Sequence, residues 1–132
     1  MVVDASVLAK LFVAEEGSER TRALLETASE IWTPAHALAE LAEVLCRKVA
    51  LGEVSREQCR LALDVAVRLV SSEPLNGIVG AAAQIAQDLN LSVYDTLYLA
   101  LAEKRGETLI TWDQRLLRGV QGSRFETIAQ RP

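Results

Sequence analysis

Residues 91–113 read LSVYDTLYLALAEKRGETLITWD, and this stretch decides the fold. Ser92 is a residue type that caps helices through its side-chain oxygen. The segment behind it, Val93 to Lys104, is apolar nearly all round, which predicts a helix buried on every side. Gly106 supplies the left-handed stop with which helices often end. Thr108-Leu109-Ile110-Thr111 then reads as a buried strand, and Asp113 can cap a short helix through Leu117. A buried helix feeding a buried strand is the unit of a parallel sheet covered on both faces.

Working outward, Met1 to Ala5 is a short run in which Val2 and Val3 do not alternate with polar residues, so it too reads as a buried strand. Ser6 is expected to cap a helix through Val13, and Ser18 to start a second one through Ala28, after the break at Gly17. Ile31-Trp32-Thr33 reads as a strand ended by Pro34. A long helix is predicted from Ala35 to Ala50, stopped at Gly52. Ser55-Arg56-Glu57-Gln58 has the capping-box pattern and opens a helix to Val70. A weak turn or strand surrounds Pro74, helix returns from Ile78 to Leu89, and a last strand is predicted at Phe125–Ile128. This order predicts an α/β fold in one domain, residues 1–132: a three-layer α/β/α sandwich with a mostly parallel central sheet. Ligands in such folds bind beyond the carboxyl ends of the strands. Asp4 and Asp113 each follow a strand and therefore point to the same edge.

Half of the 132 residues are apolar but only 5% are aromatic, so the core must be built from Leu, Val, Ala and Ile. No apolar run approaches the roughly 18 residues of a membrane span, and no basic region precedes an apolar stretch at the N-terminus, so a cytoplasmic protein is expected. Cys46 and Cys59 lie in helical patterns without a CxxC partner and read as reduced thiols. The net charge of −4 argues at first against a polyanionic substrate. Yet four of the 18 acids, held by a metal, would leave fourteen to match the 14 bases. The bases cluster late: Lys104, Arg105, Arg115, Arg118 and Arg124 stand against Glu107 and Asp113, which predicts a phosphate-binding rim there.

The acids with the best claim to chemistry are Asp4, Glu40, Asp95 and Asp113. Asp4 ends a buried strand, where a carboxylate is costly without a partner, although a turn or cap would also place an Asp there. Glu40 sits at the edge of the apolar face made by Leu38, Leu41, Ala42, Leu45 and Val49, in line with His36. Glu43 has Arg47 four residues on and suits an exposed ion pair. Asp95 starts the buried helix, where the helix dipole favours a carboxylate. Asp113 follows Thr111, a residue able to orient a neighbouring carboxylate or a water. Hard oxygen donors without a thiol cluster select Mg²⁺ or Mn²⁺ over zinc. No GxSxG, Walker loop or GxGxxG is present, and a single His excludes the usual two-His schemes.

Four blocks, VVDASVL at 2–8, PAHALAELAEVLCR at 34–47, LSVYDTLYLALAE at 91–103 and LITWDQRL at 109–116, resemble in order and spacing those of the PIN-domain family. The resemblance extends over essentially the whole chain and is nearest to the VapC-type toxins of toxin–antitoxin pairs. It implies a metal-dependent endoribonuclease with Asp4, Glu40, Asp95 and Asp113 as metal-binding acids, one or two Mg²⁺ or Mn²⁺ ions, and Ser6 and Thr111 in support. It also implies an RNA substrate, a VapB-like antitoxin partner and a homodimer. Two positions depart from the family pattern: Glu43, where many relatives carry Asn, and the bulky Trp112, which either stacks on a base or fills a gap. The alternatives are a PIN-like module that binds RNA or protein without cutting, and a receiver-like signalling domain.

Overall fold

A computed structural model describes all 132 residues. The chain alternates short strands and helices: β1 (Val2–Val3), α1 (Ala5–Phe12), α2 (Ser18–Leu25), β2 (Trp32–Pro34), α3 (Ala37–Ala50), α4 (Arg56–Leu69), β3 (Ser71–Glu73), α5 (Val79–Leu89), α6 (Val93–Arg105), β4 (Leu109–Ile110), α7 (Gln114–Gly119) and β5 (Ala129–Gln130). The five strands form one sheet in the order β3-β2-β1-β4-β5, every pair parallel. The chain winds outward from β1 through β2 to β3, then returns to pair β4 on the other side of β1. The turns after β1 and β4 therefore meet at the point where the winding reverses, which is where such sheets bind ligands.

The layers follow from the two-residue period of a strand. Val2 and Leu109 face a core shared with α5 and α6, while Val3 and Ile110 face a second core shared with α1, α3 and α4. Both faces are thus covered, as expected for a three-layer sandwich. In α6 seven consecutive residues, Thr96 to Ala102, are buried, which explains why its sequence lacks a polar stripe. Gly106 closes it at φ +63°.

Three local expectations need correction. Asp4, not Ser6, caps α1: its Oδ1 accepts the Val7 N–H at 3.1 Å, and Ser6 stands inside the first turn. Asp outcompetes Ser here because it ends the strand in an extended conformation, as an N-cap must. The last strand is Ala129–Gln130, not Phe125–Ile128. Phe125 is a fully buried plug whose carbonyl accepts the Ile128 and Ala129 N–H groups at 3.0 Å each, so residues around it turn instead of pairing. The late basic rim does not form as a unit. Lys104 pairs with Glu73, Arg105 with Glu107 and Glu30, and Arg124 with Glu103. Arg105 stands ten residues beyond Asp95, about 15 Å along α6 at 1.5 Å per residue. No helix is long and apolar enough to cross a membrane.

Candidate active site

A groove of about 510 Å³ opens at the carboxyl-terminal edge of the sheet, and its walls carry Asp4, Glu40, Glu43, Asp95 and Asp113 with Ser6, Arg47 and Tyr98. All four acids singled out from the sequence share it. All four stand at helix N-termini, Glu40 in the first turn of α3. Asp4 caps α1, Asp113 caps α7, and Asp95 lies in the first turn of α6. Cap and groove wall are compatible roles, because a cap engages one carboxylate oxygen. Asp113 Oδ1 accepts from the Arg115 and Leu116 N–H groups at 2.7 and 3.2 Å. The helix dipoles favour carboxylates at such positions.

Asp4 is the best-held of the set. Ser6 donates to its Oδ1 at 2.6 Å, and the Thr111 hydroxyl donates to its Oδ2. Ser6 in turn accepts the Trp112 N–H at 2.9 Å, and Thr111 Oγ1 accepts the Asp113 N–H at 2.8 Å. Two hydroxyls thus tie the turn after β1 to the turn after β4. Burial pushes the Asp4 carboxyl up from its ordinary 3.8 to about 6, against the pull of these hydrogen bonds and with a further push from Asp113.

Glu40 is held from α6. The Tyr98 hydroxyl donates to Glu40 Oε2, and His36 Nε2 lies 3.8 Å from the same oxygen. Burial, then the Glu40 carboxylate, push the Tyr98 phenol up, so it remains a donor. His36 packs its ring 4.9 Å from that of Tyr98, and its Nε2 contacts the Tyr94 carbonyl oxygen at 3.1 Å. Burial pushes the imidazole down, towards the neutral form. Sequence reasoning missed Tyr98 as a site residue. The available signal was its position three residues after Asp95, which puts both on one helix face.

Glu43 is exposed and lies 3.9 Å from Arg47, as its spacing predicted, yet it also lines the groove. Trp112 fills a gap. Its indole N–H donates to Thr21 at 2.9 Å, and its ring lies so close to Gly17 that a Cβ there would approach to 2.7 Å.

The donor set fits a hard divalent cation, since it is all carboxylate oxygen; the two cysteines are free and lie outside the groove. As they stand, the side chains do not form a ready set of three His, Cys, Asp or Glu ligands. Asp95 makes no hydrogen bond through its carboxylate, and Glu40 and Asp113 each engage a single oxygen, so three rotatable acids retain coordinating capacity.

A comparison against known families agrees with this fold: the PIN domain matches residues 1–120, and the chain belongs to this family. Its relatives include Ribonuclease VapC3 of Pyrobaculum aerophilum, 31% identical over 119 residues that cover 88% of this chain and 91% of that protein. Among solved structures, Mycobacterium tuberculosis VapC20, described as a sarcin–ricin-loop-cleaving toxin, superposes with a TM-score of 0.72 at 18% identity, over 87% of this chain and 91% of that one. Rickettsia felis VapBC2, bound to a DNA fragment from its promoter, gives 0.66 at 14% identity over 99% and 97%. These structures share the fold. Membership in the family removes the receiver-like alternative.

Proposed function

We propose that this chain is a Mg²⁺- or Mn²⁺-dependent endoribonuclease, the toxin of a VapBC-type pair. The observation that supports this reading best is the groove itself: carboxylates from four separate segments converge where the sheet's winding reverses. The ligands proposed are Asp4, Glu40, Asp95 and Asp113. When bound, a divalent ion supplies Lewis acidity that makes water nucleophilic near neutral pH and offsets charge on the departing oxygen of a phosphodiester. The chain's own residues do the positioning. Ser6 and Thr111 hold Asp4 in one rotamer, with its charge aimed at the groove. Tyr98 fixes the reach of Glu40 from α3. Asp95 and Asp113 project from helix starts that the buried middle of α6 and the Asp113 cap keep in place.

Ribonuclease VapC3 and the VapC20 toxin supply the substrate class, RNA, and VapBC2 supplies the partner class, an antitoxin encoded for this chain. A groove with one cation among five carboxylates attracts a guanidinium as it attracts a metal, so an antitoxin arginine is a natural plug. A homodimer is part of the same reading. The test is cleavage of total RNA by the purified chain with Mn²⁺, with EDTA, and by Asp95→Asn. Metal-dependent fragments that vanish in the other two arms are expected. RNA left intact with Mn²⁺ defeats the reading and favours a PIN module that binds without cutting.

A further inference from the structure

Beside the carboxylate groove lies a second pocket of about 540 Å³, walled by Lys10, Arg20, Trp112, Gln114 and Arg131, with Glu16 as its one acid. We propose that it is a cationic seat for a backbone phosphate of the RNA strand that enters the groove, an inference that rests on the ribonuclease reading.

Position is the first reason. Trp112 stands between Thr111 and Asp113 and donates its backbone N–H to Ser6, so the pocket adjoins the acids directly. Arg131 reaches the same edge because β5 is parallel to β4 and ends one residue before it. Charge is the second reason. Arg20 and Arg131 take part in none of the chain's ion pairs. Lys10 is already engaged, by Glu15 at 3.0 Å and by the Glu16 carbonyl at 2.7 Å, so the two arginines carry the unbalanced charge. A groove of carboxylates repels a polyanion, and cations immediately beside it offset that repulsion where the strand must pass. The third reason is the platform. Trp112 is pinned by Thr21 and Gly17. The Arg131 guanidinium lies 4.8 Å and the Lys10 ammonium 5.3 Å from its ring centre. An indole engaged by two cations presents charge rather than an open face for a base. The ligand is therefore a phosphate rather than a nucleobase.

The test measures binding of a fluorescein-labelled, randomised-sequence oligoribonucleotide by anisotropy across a salt series, in EDTA. Wild type, Arg20→Gln, Arg131→Gln, the double variant and Arg68→Gln are compared; Arg68 is equally without an ion-pair partner but lies on α4. Each phosphate contact on a single strand contributes about 0.7 to the slope of log affinity against log salt. The double variant is expected to lower that slope by about 1.4, each single by about half as much, and Arg68→Gln not at all. A double variant with the wild-type slope overturns the seat, as does an equal fall in Arg68→Gln, which would reduce the effect to net charge. Wild type that cleaves RNA while the double variant keeps its slope loses the seat and keeps the ribonuclease reading. Wild type that neither binds nor cleaves loses both.

Discussion

The two edges of the sheet use the same residue types to opposite ends. At the amino-terminal edge Arg105 lies 3.0 Å from Glu107 and 3.6 Å from Glu30, with its guanidinium 3.7 Å from the centre of the Trp32 ring. Each charge there has its counter-charge, and Arg105 holds the Glu107 carboxyl below its ordinary range. At the carboxyl-terminal edge five carboxylates share a groove with Arg47 as the one cation, and burial drives Asp4 the other way. Paired charges tie a structure together. Gathered like charges cost the fold energy, and two carboxylates about 5 Å apart repel by roughly 3 kcal/mol at an effective dielectric near 20. Such a gathering is expected to yield when a cation arrives.

The contrast breaks most sharply in activity. Asp4→Asn, Glu40→Gln and Asp95→Asn are each expected to lower RNA cleavage by about 10²–10³-fold, the scale on which one lost charge in a preorganised site is felt. Asp113→Asn should lose less, since the fourth acid is expected to act on the ion through a water and Asn keeps the α7 cap. Single-turnover cleavage under saturating Mn²⁺ measures this; near-normal rates in any of the first three would remove that residue from the set.

Next in size is a pH effect on stability. The Asp4 carboxyl stands at about 6 in the fold against an ordinary 3.8. A carboxyl raised by folding takes up a proton on folding between those values. Its favourable contribution is complete below pH 4 and is lost as pH rises through 6. The difference corresponds to about 3 kcal/mol, at roughly 1.4 kcal/mol per tenfold change in proton affinity. Asp4→Asn, which keeps a capping side chain, should therefore match wild type near pH 4 and exceed it in urea unfolding at pH 7, with EDTA present. Parallel pH profiles for the two proteins would contradict the burial argument.

Metal should act on the same edge. At about 100 times Kd, Mn²⁺ is expected to stabilise the folded chain by about 2.7 kcal/mol, which raises Tm by several degrees and is reversed by EDTA. Asp95→Asn should shrink that gain. A Tm unmoved by metal in wild type would leave these aspartates as helix caps alone.

How much of this was legible in the sequence depends on what each residue needs. Asp4 and Asp113 follow apolar runs directly, so strand direction alone placed them on one edge. Glu40 followed from its place at the margin of an apolar helix face. Within the late basic rim, Lys104 and Arg105 were misplaced because a cluster in sequence carries no information about which end of α6 its members reach; both end a helix whose start holds Asp95, whereas Arg115 and Arg118 stand on α7 behind Asp113. Arg131 escaped notice because its place depends on the register of β5, and that register is set by Phe125 plugging the core, a tertiary fact. Tyr98 was hidden among the apolar residues of α6, where its ring belongs to the core and its hydroxyl to the groove.

The smallest effect lies at the amino-terminal edge. Glu107→Gln removes the carboxylate that Arg105 contacts but leaves Glu30 and the Trp32 ring as partners. Glu107 also meets the Met1 ammonium at 3.0 Å. A surface ion pair contributes about 0–1 kcal/mol, so with two part-buried pairs lost the variant should lose about 1–2 kcal/mol. Its pH dependence runs opposite to that of Asp4. A carboxyl held low in the fold stabilises at pH values above its ordinary 4.5 and loses that contribution as pH falls through its folded value. Wild type and Glu107→Gln should accordingly differ at pH 7 and converge in acid, while wild type and Asp4→Asn differ at pH 7 with the reverse sign. RNA cleavage by Glu107→Gln should stay at the wild-type rate, since nothing at this edge touches the groove. A cleavage defect as large as that of Asp95→Asn, in a variant that melts normally, would mean that the two edges are coupled through α6, and the division between a structural edge and a chemical one would fail.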